Sequence, residues 1–213
     1  MAVMYTADSP ILGPQTAAMD QMSRYMLSRP HGEYTEKDIA DVIIPAYVRI
    51  CLPVGVDPVL AVAQMIHETG NLTSFWSQRP QRNPAGIGVT GQWQPHQPAN
   101  LTGWAYNVQR QRWEAGVSFA TWADDAIPAQ IGRLLAYALR EGDETPPQRE
   151  LIAKALSYRP FPRAFRGSAQ TIKQLGRAHN PLGAQGAGWA SPGHNYGEAI
   201  ARIANQILAV PLN

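Results

Sequence analysis

The sequence holds one cysteine, Cys51, in 213 residues, so no intramolecular disulfide can form. Cys51 lies in the apolar run Val48, Ile50, Cys51, Leu52 and reads as a small buried hydrophobe. No apolar stretch approaches the ~20 residues of a membrane-spanning helix. The segment Met1 to Asp8 lacks the basic and apolar stretches of a signal peptide. Charge of either sign is scarce. Eighteen Lys and Arg stand against sixteen Asp and Glu, a formal net charge of +2, and the basic residues are scattered rather than gathered into a nucleic-acid-binding run. The five histidines have no metal-ligand spacing. His67–Glu68–Thr69–Gly70 begins like a zinc-protease helix, but Asn71 stands where that motif needs its second histidine. Neither a metal nor a cofactor is expected. Carboxylates are also missing from one long stretch, since no Asp or Glu occurs between Glu68 and Glu114.

What is present is a set of helical patterns interrupted once. Pro14 opens a first helix over 15–28. Thr35 and Asp38 start a second, with Pro45 inside its apolar pattern. The third is the best defined, with Asp57 as N-cap, Pro58 at the first helical position and Gly70 as the left-handed stop. Between them Val59 to Ile66 is apolar except for Gln64, so this helix is expected to be buried all round. Residues 71–120 lose the helical period. Gly86–Val89 and Gly116–Phe119 mark candidate short strands there. Helices resume from Asp124 to near Gly142, at 147–157 and at 168–175, followed by a glycine-rich loop from Gly183 to Gly193 and a last amphipathic helix from Tyr196 to about Leu208. The fold class is therefore mainly α, a single domain over 1–213 in which N-terminal helices (1–54) pack on the body and an irregular or β lobe (71–120) is inserted after the central helix.

Chemistry concentrates at Glu68. It falls in the last turn of the buried helix, at the negative end of the macrodipole, where the protonated acid is favoured. A carboxyl group that keeps its proton near neutral pH is suited to general acid catalysis. Gln64 lies one turn earlier on the same face. Trp76, Trp93, Trp104, Tyr106, Trp113 and Trp122 cluster around the inserted lobe beside Asn and Gln, as the apolar faces of sugar rings require. Arg79 and Arg82 flank the same region and are candidates to pair with carboxylates.

Leu60–Gly70, containing Ala63–Gln64 and Glu68–Thr69–Gly70, together with Asn83–Gly91, Gly116–Trp122 and Gly188–Gly197, resembles the glucosaminidase domain of glycoside hydrolase family 73. The resemblance spans roughly residues 55–210. It implies a lysozyme-like helical fold and cleavage of the β-1,4 bond between N-acetylglucosamine and N-acetylmuramic acid in peptidoglycan, with Glu68 as general acid and Tyr196 as the family's aromatic hydroxyl. It further implies a glycan-strand partner contacted by Gln64, Asn83, Trp76, Trp93, Trp104, Tyr106 and Trp189, a monomer, and action at the cell wall after secretion or phage delivery. Many family members carry a second carboxylate on the β lobe. Here the lobe has none, and Glu114, at its border, is the candidate base. The substrate's own N-acetyl group, or a water held by Tyr196 and Gln64, is the alternative. A muramidase or lytic transglycosylase, which needs a single acid, and a non-catalytic glycan-binding module are the competing readings.

Overall fold

The computed structural model describes residues 4–212; Met1 to Val3 of the amino-terminal segment discussed above lie outside them. Its elements run α1 (Met19–Leu27), α2 (Ile44–Cys51), α3 (Pro58–Thr69), β1 (Trp93–Gln94), β2 (Trp104–Asn107), β3 (Arg112–Ala115), α4 (Ile127–Ala138), α5 (Pro146–Tyr158) and α6 (Tyr196–Leu208). The layout is mainly helical, with a small sheet inserted after the third helix. No helix among the described residues is long and apolar enough to cross a membrane.

α3 forms where its local signals put it. Asp57 accepts the Val59 amide at 2.9 Å, Gly70 ends the helix at φ +59°, and every residue from Pro58 to Ile66 is buried. It packs between α2, α1 and α6, so its C-terminal turn is the only part that emerges. α2 and α4 share a device for accepting proline. Each is preceded by a π-helical stretch, Asp38–Ile43 and Trp122–Ala126, and each places its proline, Pro45 or Pro128, second in the α-helical part. Pro45 thus lies inside one helical run that begins at Glu36, where the sequence pattern put it, directly after the π-helical stretch. α4 and α5 cross in close contact at Gly132. A Cβ on Gly132 would collide with the Leu151 carbonyl oxygen.

The strands differ from the expected ones. Gly86–Val89 and Gly116–Phe119 form loops, and the sheet is built from β1, β3 and β2 in that order, all antiparallel. Asn83 explains the first difference. Its side chain donates to the Ile87 and Val117 carbonyls at 2.8 and 2.9 Å and accepts the amides of Ala85 and Ile87, which occupies the backbone groups a strand would need. The real strands follow the alternation Trp104, Ala105, Tyr106, Asn107 and Arg112, Trp113, Glu114, Ala115, paired so that Tyr106 faces Trp113. The helix expected at 168–175 is also absent. Only a single turn, Lys173–Leu175, is helical, because the amides of Ile172 and Lys173 pair with the carbonyls of Ser9 and Ala7. α1 likewise begins at Met19 rather than at residue 15.

Candidate active site

Glu68 and Tyr196 meet across the interface of α3 and α6. The Tyr196 hydroxyl donates to Glu68 Oε1 and accepts from Gln64 Nε2 at 2.9 Å. The chain of donors continues inward. Gln130 Nε2, on α4, donates to Gln64 Oε1 at 2.9 Å and to the Ala61 carbonyl at 3.0 Å, and the Tyr47 hydroxyl, on α2, donates to Gln130 Oε1 at 2.5 Å. Tyr47, Gln130, Gln64 and Tyr196 are all buried. Because each amide has only one acceptor end, the four bonds run in one direction, and the last proton is aimed at Glu68.

Burial pushes the Glu68 carboxyl up to about 7, against the opposing pull of the Tyr196 hydrogen bond. The two effects have separate roles. Desolvation favours the protonated acid and the Tyr196 hydroxyl favours the carboxylate, so the group exchanges its proton near neutral pH. His67, beside Glu68 in sequence, turns outward and rests edge-on against the Tyr196 ring.

A cleft of about 180 Å³ opens next to this pair, lined by Ala85–Val89, Arg133, Tyr137, Arg159, Gly188 and Trp189. Gly86 joins the two. It is exposed, adopts φ +63°, and a Cβ there would stand 3.7 Å from Glu68 Oε2, so this wall of the cleft lies against the acid. Trp189 closes one side, donating from Nε1 to the Ala85 carbonyl at 3.2 Å.

The remaining expected residues fall in three groups. Asn83, expected to bind substrate, is fully buried with its amide engaged by its own loop; it shapes the wall next to Glu68 and has no group free for a ligand. Trp76, Trp93, Trp104 and Tyr106 belong to the lobe. Trp93 is 55% exposed and Tyr106 43%, so both present aromatic surface to solvent. Trp76 packs over Gly116, and Trp122 is buried in the core. Glu114 lies on β3, the middle strand of the lobe's sheet, opposite Trp93 and Ala105, so the lobe carries this carboxylate rather than being bordered by it. It accepts Arg112 Nε at 2.8 Å and Arg110 Nη1 at 3.1 Å. Burial works against its ionisation, but these guanidinium bonds outweigh it and hold the carboxyl below the usual glutamate range. Arg79 is likewise committed, to Asp38 at 2.8 Å and Glu33 at 3.6 Å.

Sequence reasoning missed Tyr47, Gln130, Arg133, Tyr137 and Arg159. Gln130 carried a usable signal, being a polar residue inside the apolar stripe formed by Ile127, Ile131 and Leu134. The arginines carried none, since they meet only through the packing of α4 and α5.

No protein-family model matches the chain, and no curated protein matches it. Among solved structures the chain is similar to S. aureus autolysin E. One structure is in complex with the muropeptide NAM-L-Ala-D-iGlu (11% identity) and the other is a catalytic mutant in complex with the disaccharide NAG-NAM (13% identity). Each alignment covers 97% of this chain and 73% of the other, with a TM-score of 0.45.

Proposed function

We propose that this chain is a peptidoglycan-cleaving glycosidase, acting at the cell wall as one catalytic domain, with Glu68 as general acid at the bond between N-acetylglucosamine and N-acetylmuramic acid. The observation that carries the reading is Glu68 itself, a carboxyl raised by burial to about 7, lying against the Gly86 wall of a cleft, with a buried, directed hydrogen-bond chain ending on it. In the reaction the Glu68 proton passes to the glycosidic oxygen as the bond from that oxygen to the sugar C1 breaks. Tyr196 then stabilises the new carboxylate by a charge-assisted bond.

The second group is not Glu114 in this reading. A carboxylate clamped by two arginines is a weak base, and its site on β3 suits tying the hairpin together. Among the described residues no Asp or Glu lines the Arg133 cleft. The substrate's 2-acetamido oxygen therefore attacks C1, and water opens the resulting ring while returning a proton to Glu68; at the C1 of N-acetylglucosamine this is an endo-β-N-acetylglucosaminidase reaction. The same missing carboxylate favours a second reading, lytic transglycosylation, in which the muramic acid's own hydroxyl closes on its C1.

Mass spectrometry of fragments released from purified peptidoglycan distinguishes these. Reducing N-acetylglucosamine ends, absent with Glu68→Gln, are the expected result. Anhydro-muramic ends would establish the second reading. No release by the wild-type protein from several wall types would refute both and leave a glycan-binding module.

A further inference from the structure

Five arginines of the lobe and its surroundings, Arg79, Arg110, Arg112, Arg163 and Arg166, face acids. Arg133 and Arg159 do not. Neither has a carboxylate within ion-pair distance among the described residues, and no Asp or Glu lines either cavity that they border. They are nevertheless brought together. Arg133 Nη1 donates to the Arg159 carbonyl at 3.3 Å, and its guanidinium lies 5.1 Å over the Phe161 ring. Tyr137, one turn further along α4, places its hydroxyl beside Arg133 and the Gly188 amide. Burial weakens the hold of Arg133 on its proton; Tyr137 opposes this, and the nearby Arg159 charge adds to it to a smaller extent.

Arg133 is half-buried and loses hydration beside the charge of exposed Arg159, and an anion between them relieves both the desolvation and the repulsion. A guanidinium fork matches a planar carboxylate in particular. The cleft is the one whose wall includes Gly86, so an anion held there lies near the bond that Glu68 would protonate.

We propose that Arg133 and Arg159, with the Tyr137 hydroxyl, form a carboxylate subsite that seats an acidic sugar of the glycan next to the cleaved bond. This rests on the function proposed above, because the acidic sugar of peptidoglycan is muramic acid. Its carboxylate is either the free lactyl group or, where that group is amidated, a carboxylate of the attached peptide.

Binding of small ligands tests the subsite without turnover. Wild-type protein, Arg159→Gln and Arg133→Met are titrated by NMR with N-acetylmuramic acid, its methyl ester, N-acetylmuramyl-L-alanyl-D-isoglutamine and N-acetylglucosamine. Wild type is expected to prefer a carboxylate ligand over the neutral pair, and each variant to weaken that ligand on the order of tenfold while changing the neutral ligands far less. Preference for the free acid identifies the lactyl group, and preference for the dipeptide identifies the peptide carboxylate. Equal affinity of wild type for acid and ester, with no gain for the dipeptide, overturns the proposal, as does an equal loss of all ligands in Arg159→Gln. Arg159 is exposed, so that variant is expected to fold even if Arg133→Met does not. Carboxylate selectivity without release of wall fragments would refute the proposed function and leave the subsite standing; release without selectivity would do the reverse.

Discussion

Replacing Glu68 by Gln removes a titration and little else, because the amide oxygen still accepts from Tyr196 and the volume is unchanged. The structure raises the Glu68 carboxyl from 4.5 to about 7. Between those values the folded chain binds a proton that the unfolded chain has released, so folding stability is highest below pH 4.5 and falls as the pH rises through 7. Above that range the loss levels off at roughly 3 kcal/mol. In the Glu68→Gln variant the loss is absent. The stability difference, variant minus wild type, therefore grows in favour of the variant by roughly 2.5 kcal/mol between pH 5 and pH 8.5. Other titrating groups cancel in the difference. Urea unfolding of both proteins at several pH values measures it directly, and thermal unfolding at pH 8.5 should place the variant roughly 5–10 °C higher for a chain of this size. A difference that stays flat within about 0.5 kcal/mol would show that Glu68 titrates as an ordinary exposed glutamate. The argument for a protonated acid at neutral pH would then fail.

Three further outcomes follow from the same contacts. Tyr196→Phe removes the bond that favours ionised Glu68, so the alkaline limb of the pH-rate profile should move upward from about 7 while kcat falls by roughly 10- to 100-fold; 13C NMR titration of the Glu68 carboxyl checks the shift without turnover, and a downward move would refute the assignment. Asn83→Ala strips four hydrogen bonds from the loop beside Glu68, leaving buried backbone groups unpaired, and should cost roughly 2–3 kcal/mol in urea unfolding. Were Asn83 a ligand contact instead, stability would hold and only KM would rise. Gly132→Ala gains about 1 kcal/mol of helix propensity but drives a methyl group into the α5 backbone, so unfolding should show a net loss of roughly 1–2 kcal/mol.

How much of this was legible in the sequence depends on the range of the interaction. α3 was readable because Asp57, Pro58, the apolar run and Gly70 act within one helix. α6 was readable because its apolar stripe is strong. The segment 168–175 has a helical pattern too, but amides that a helix would have used are taken by Ala7 and Ser9, residues far away in sequence. The loop at Gly86 was misread for the opposite reason. Its apolar alternation is real, yet one buried side chain, Asn83, satisfies the backbone more cheaply than a strand partner would.

The candidate site divides the same way. Glu68 and Gln64 stand out as polar residues on an apolar helix, and the same test applied to α4 singles out Gln130. A buried amide inside an apolar stripe must find partners or cost roughly 1–3 kcal/mol, so two such residues on separate helices imply a contact between them. That inference needs no knowledge of the fold, and it would have located the inner half of the chain ending on Glu68. Arg133 and Arg159 allow no such inference. An arginine on the polar face of a helix is ordinary, and only the close crossing of α4 and α5 at Gly132 turns two ordinary cations into a cleft without a counter-ion. The acid was thus legible as a local anomaly, whereas the groups proposed to choose its substrate acquire their meaning only from tertiary packing.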